Sequence, residues 1–227
     1  MNMDPEIKPI TLQMPFRMGS VNCYLIQSDS GYLLIDSGAS FSRKDLLREL
    51  ESAGCQPPLL KLIVLTHGDF DHTGNAATLR RAFGAKIAMH RDDAGMAQMG
   101  DMFVNRKQPN VIIRKMIPFF IGFRKAERFT PDLLLEDGDD LSPYGFDARV
   151  FSIPGHSKGS LGVLTATGDL FCGDLLVNTD KPALNTLIDD LPAAEASLQK
   201  LRGLGVGTVY PGHGTSFPMH VISGESD

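Results

Sequence analysis

Cysteine is scarce and scattered. Cys23, Cys55 and Cys172 are an odd number at wide spacing, so neither a disulfide framework nor a paired-cysteine zinc knuckle can be assembled from them. A reducing compartment is the simpler setting. No apolar run approaches the roughly 20 residues a membrane span requires. The opening MNMDPEIKPITLQM carries acidic residues and a proline where a secretory leader would have its apolar stretch. Clustered Lys and Arg are also missing. With a net charge of −5, the chain has no basic patch to neutralise phosphates, which argues against nucleic acid as a partner. Repeats and low-complexity segments are absent. These absences predict a cytoplasmic protein without a membrane span.

What is present suits an α/β fold. Hydrophobic residues make up 42% of the 227 positions, enough for a sizeable core in one domain or at most two small ones. Two β-rich runs, Cys23–Gln27 and Tyr32–Ile35, flank SDSG and predict a hairpin. Ser42 to Ala53 has helical periodicity through Leu46, Leu47 and Leu50, and Gly54 stops it. Leu59–Leu65 reads as a buried strand, Asn75–Phe83 as a helix and Ala85–Met89 as another strand. The β signal returns at Asp147–Ile153, Leu161–Thr165 and Leu170–Cys172, the last two joined by an ATGD turn. A helix over Ala193–Leu201 and a short strand at Thr208–Tyr210 follow. Residues 91–131 fit no strand pattern and are expected to form a mostly helical insertion.

Metal-binding side chains recur where β-runs end. They are His67, Asp69, Asp71 and His72 in THGDFDH, His156 in PGHSKGS, Asp174 in FCGD and His213 in PGHG. Strand-end loops are where α/β folds place ligands and catalytic groups. Imidazole and carboxylate are the donors of hydrolytic zinc, iron or manganese sites. The blander reading of each motif alone is a histidine in a turn, or an aspartate such as Asp71 capping the next helix. All of them together, in this order, favour a metal site.

THGDFDHTGN resembles the HxHxDH signature of the metallo-β-lactamase superfamily, and PGHSKGS, GD and PGHG match that superfamily's later motifs, with Asp36 in LIDSG at its first. The resemblance runs from about residue 16 to 216 and implies one domain, residues 1–227, folded as an αββα sandwich with the metals at one edge between the sheets. It further implies that His67, Asp69 and His156 hold one ion, Asp71, His72 and His213 a second, and that Asp174 bridges. Two divalent metal ions would activate water, with Asp71 orienting it or receiving its proton. Asp36 is expected to accept a hydrogen bond from a histidine N–H without touching metal.

One position departs from the pattern. Asp69 stands where the family has its second histidine, and an anionic oxygen donor leans toward iron or manganese over zinc. Flavodiiron members carry a carboxylate there. The leading function is therefore hydrolysis of a small-molecule ester, lactone or thioester. The alternatives are an iron-dependent redox role, flavodiiron-like or persulfide dioxygenase-like, and hydrolysis of a phosphoester or β-lactam.

Other residues draw plainer readings. His90 is expected to pack in the core or at its rim, His220 to lie in an exposed tail, and Cys172 to be a buried structural thiol. Ser157, Lys158, Asn178 and Lys181 flank the motifs and are substrate-contact candidates that more often prove solvated. The insertion carries Met96, Met99, Met102, Phe103, Ile117, Phe119, Phe120, Ile121 and Phe123. Its apolar face suits a lid over the pocket or the interface of a homodimer.

Overall fold

The structure is a computed structural model that describes residues 6–15, 18–28, 30–106 and 125–223. Two sheets carry it. The first has six strands in the order β1 (Glu6–Gln13), β2 (Ser20–Ser28), β3 (Gly31–Ile35), β4 (Leu60–Val64), β5 (Lys86–His90) and β6 (Leu133–Leu135). The pairs β1–β2 and β2–β3 are antiparallel, and the rest of this sheet is parallel. The second sheet takes β7 (Ala148–Ser152), β8 (Leu161–Thr165), β9 (Asp169–Gly173), β12 (Thr208–Pro211) and β13 (Phe217–Pro218) in the order β13-β12-β9-β8-β7. Between β9 and β12 in sequence lies a small ribbon of β10 (Leu176–Val177) and β11 (Ala183–Leu184).

Alternation along the strands produces the layers. Tyr24, Ile26, Leu33 and Ile35 point toward Val150, Val163 and Phe171 of the second sheet and form the middle of the sandwich. Their neighbours Cys23, Leu25 and Leu34 face the other way, against α1 (Arg43–Ser52) and α3 (Ala76–Phe83). On the far side, Ile153, Leu170, Cys172 and Val209 pack on Ala194, Leu198 and Leu201 of α5 (Leu191–Arg202). The order of layers is α, β, β, α, as the resemblance implied.

The predicted elements are present with ends shifted by one to three residues, and five strands were not foreseen. β1 is an edge strand whose Pro9 sits opposite Tyr24, and a proline within a run hides an edge strand from pattern reading. β6, β10, β11 and β13 are two or three residues long, too short for a period to register. Among the described residues of 91–131 lie α4 (Arg91–Met99) and a 3-10 turn, Lys125–Glu127. Ile117, Phe119, Phe120, Ile121 and Phe123, on which the lid and interface readings rest, lie outside the described residues.

Candidate metal centre

Four loops converge at one edge of the sandwich. The first leaves β4 at Leu65 and runs through Thr66 to His72, with α2 (Phe70–Thr73) as its short helix. Asp69 stands at the N-cap of α2 without any side-chain cap bond, and Asp71 lies within the helix. Neither aspartate is occupied by capping. The other loops bring His156 after β7, Asp174 after β9 and His213 after β12.

These side chains fall into two compact groups. Ligand atoms of His67, His156 and Asp174 lie within 4.8 Å of one another, as do those of Asp71, His72 and His213. Asp174 links them: its Oδ1 is 3.3 Å from His72 Nε2 and its Oδ2 3.3 Å from His213 Nε2. Asp69 belongs to neither tight group but borders the first, its Oδ2 lying 3.0 Å from His156 Nε2 and 3.6 Å from His67 Nε2. Gly212 is required by this packing, since a Cβ there would come within 2.2 Å of Asp174 Oδ1 and 2.7 Å of His72 Cε1.

The histidines are oriented by their outer nitrogens. His156 Nδ1 lies 2.6 Å from the Leu187 carbonyl, and His213 Nδ1 2.6 Å from that of Ser20. Carbonyls only accept, so both Nδ1 atoms donate. His72 Nδ1 meets the Asp36 carboxylate at 2.8 Å. The Thr66 hydroxyl donates to Asp36 and so must accept from His67 Nδ1, 3.0 Å away. With every Nδ1 bearing its proton, each Nε2 turns a lone pair into the site, the arrangement metal-ligating histidines adopt.

That arrangement leaves polar atoms without partners. His67 Nε2, His72 Nε2 and Asp174 Oδ1 are buried and make no hydrogen bond among the described residues. A neutral imidazole lone pair facing a carboxylate oxygen is unfavourable unless a cation or a proton sits between them. The titration behaviour says the same. Burial opposes a charged imidazole at His72, yet Asp174, Asp36 and Asp71 outweigh it and raise its pKa well above the usual value. At His213 burial is likewise overcome, by Asp174 first, and the pKa is pushed up to about 9. Asp174 and Asp69, which burial alone would raise, are held well below the carboxylate range by their histidine neighbours. Asp71 goes up, chiefly through burial. The site attracts positive charge, and its nitrogen and oxygen donors fit divalent metal ions.

Two residues that sequence reasoning passed over complete the site, both from the opening of the insertion. Asp93, on α4, is 1% exposed. Its Oδ2 accepts from Gly68 N at 3.0 Å and from the Ser157 hydroxyl at 2.7 Å, and its Oδ1 accepts from Gly159 N at 2.9 Å. It thereby ties the His67 loop to the His156 loop. Ser157 is consumed in this tie and is not a free substrate contact. Arg106 is the second: its guanidinium bonds Asp69 Oδ1, Asp189 Oδ2 and, at 2.6 Å, the His156 carbonyl. Asp93 shares a face of α4 with Ala94, Met96 and Ala97, a placement the sequence could have shown; Arg106 had no such signal.

The remaining candidates separate cleanly. His90 caps α4, its Nδ1 accepting from Asp92 N at 3.2 Å, where core or rim packing had been expected. His220 is exposed at the start of a short terminal helix. Cys172 is buried, which pushes its thiol up to about 12. Asn178 is bonded to Thr215, while Lys181 is exposed. Lys158 lines a cleft of about 200 Å³ with Asn105, Arg106, Asp189 and Asp190, next to the first group of ligands.

Comparison with known proteins was consistent from all sides. A family model described as the metallo-beta-lactamase superfamily matches residues 17–213. The chain is 29% identical over 177 residues to the hydroxyacylglutathione hydrolase GloC of Haemophilus influenzae, covering 77% of this chain and 72% of that one. It is 29% identical over 223 residues to the acyl-coenzyme A thioesterase MBLAC2 of Bos taurus, covering 86% and 74%. It spans only 61% of the length of an uncharacterised Bacillus subtilis relative, YobT, to which it is 31% identical. Among solved structures, TTHA1623 in a di-iron-bound form superposes with a TM-score of 0.71 at 28% identity, covering 94% of this chain and 96% of that one.

Proposed function

Because this chain belongs to the metallo-β-lactamase superfamily, we propose that it hydrolyses a small-molecule ester, lactone or thioester at a two-metal centre. His67, Asp69, His156 and Asp174 would hold one ion, and Asp71, His72, His213 and Asp174 the other. The observation that carries the reading is the trio of buried atoms without a hydrogen-bond partner among the described residues, His67 Nε2, His72 Nε2 and Asp174 Oδ1. When bound, two divalent ions supply Lewis-acid polarisation of a carbonyl and an activated water.

The chain's own residues do the rest. Leu187, Ser20, Asp36 and Thr66 fix the imidazoles so that only Nε2 faces the reacting groups. Asp71, 3.5 Å from His213 Nε2 and raised in pKa by burial, is suited to receive a proton from water. Asp93 keeps the two loops at a fixed separation, so the ligands do not reorganise during the reaction. The cleft beside Arg106 and Lys158 would take the substrate.

Within this class a thioester is favoured, since one relative is named a thioesterase and another hydrolyses an acylated glutathione. The oxygen donor of Asp69 and the di-iron form of TTHA1623 favour iron or manganese in competition with zinc. A cytoplasmic setting fits the three buried free thiols, and no helix among the described residues is long and apolar enough to cross a membrane. The test is elemental analysis of purified protein coupled to a panel of thioester, lactone, phosphoester and β-lactam substrates. Two ions per chain with thioester turnover supports the reading. Metal-loaded protein that consumes oxygen but hydrolyses nothing on the panel would replace it with the redox alternative.

A further inference from the structure

The aspartate at position 69 does not come alone. Its Oδ2 faces the first group of ligands, and its Oδ1 is held by Arg106. Both side chains are almost fully enclosed, 9% and 8% exposed. The arginine is delivered by a built turn. After α4, Val104 N bonds Asp101 O and Arg106 N bonds Phe103 O. Asn105 takes the left-handed conformation, with φ of 63°, which asparagine tolerates better than most residues. Its side chain reaches back to the Asp92 carbonyl at 3.3 Å. Guanidinium N–H groups then satisfy Asp69, Asp189 and the His156 carbonyl together, a planar fork that lysine could not reproduce.

We propose that Asp69 and Arg106 act as one unit in place of a neutral histidine. Asp69 supplies the donor atom toward the ion, and Arg106, whose guanidinium also pairs with the partly exposed Asp189, offsets part of the charge that this donor adds. Arg106 is thus a positioning residue for the first ion. It aims Asp69 Oδ2 inward by occupying Oδ1, and it fixes the His156 backbone at the same time. The inference rests on the two-metal reading above. It revises one step in the expectation from sequence: with the extra charge partly offset, the hardness of the oxygen donor is the larger factor favouring iron or manganese.

The experiment is a double-mutant cycle on the full chain, reading metal stoichiometry and affinity for manganese and zinc rather than turnover. The variants are Asp69→His, Arg106→Gln and the two combined. The second ion, held by Asp71, His72 and His213, is the internal reference. Asp69→His installs a residue that is a good ligand by itself, yet leaves Arg106 buried against three histidines; the first ion should bind about 10- to 100-fold more weakly. Adding Arg106→Gln should restore it to within a few-fold of the parent. Arg106→Gln alone should tighten the first ion, manganese more than zinc. Circular dichroism checks folding, and if Asp69→His does not fold, Arg106→Lys decides: the charge-offsetting role predicts a metal preference nearer the parent than Arg106→Gln. An Asp69→His variant that holds two ions as tightly as the parent, unimproved by the second substitution, overturns the pairing. A parent that takes up no second ion overturns the two-metal reading itself.

Discussion

The two candidate ion positions share one kind of anchor and differ in another. Each has one histidine on a backbone carbonyl, His213 on Ser20 and His156 on Leu187, and one tied to Asp36, His72 directly and His67 through Thr66. The first, at His67 and His156, borders a side-chain pair, Asp69 and Arg106, one member of which arrives from the segment after α4. A position completed by a side chain from an insertion can be retuned by substitution there without disturbing the sheets. The lesson is that the candidate centre has one half with such an added pair and one half without, with Asp174 reaching both.

The largest break in that comparison should come at the joint. Asp174→Ala removes the one carboxylate that reaches both groups, so both ions should be lost together and hydrolysis should fall by more than about a hundredfold. Elemental analysis beside a rate assay checks this; retention of one ion at full occupancy would mean the two positions are independent.

Asp93→Ala should strike the stability of the whole edge. It removes a buried charged acceptor of three hydrogen bonds and leaves the N–H groups of Gly68 and Gly159 unpaired. A loss of about 3 kcal/mol in denaturant unfolding is expected, with the metal-free protein affected as much as the loaded one.

Asp36→Asn sharpens the contrast between positions. Asparagine tolerates the left-handed φ of 58° at this residue, so the backbone is kept while the carboxylate is removed. Asp36 bonds His72 directly and reaches His67 only through Thr66. The second ion should therefore weaken by about 10- to 100-fold and the first by less, measured by calorimetric titration of each metal.

The smallest effect belongs at a control position away from the centre. Asp137, paired with Lys200, is lowered in pKa, first by that hydrogen bond. Its folded pKa is depressed, so its contribution is present above the ordinary carboxylate range and fades as pH falls through the folded value. The pair is largely exposed, and Asp137→Asn should cost less than about 0.5 kcal/mol near neutral pH, with metal content unchanged.

Much of this was legible before any coordinates. THGDFDH, PGHSKGS, GD and PGHG are local strings, and each places its ligand directly after a β-run whose alternation or apolar length is itself visible. The layer order was implied by the family resemblance that those strings carry. The strands that escaped notice were a proline-bearing edge and pieces of two or three residues, where a period has too few repeats to register.

The chain by itself determined which metal-binding side chain types stand at strand ends, because donor chemistry and strand ends are properties of short stretches. Only the tertiary structure decided what those donors answer to. Ser157 and Asp93 are 64 residues apart, and Arg106 and Asp69 are 37 apart. No periodicity spans such gaps. The charge of Asp69 looks unpaired in the sequence, because a buried ion pair exists only once folding has closed the loop between its members and excluded water from both.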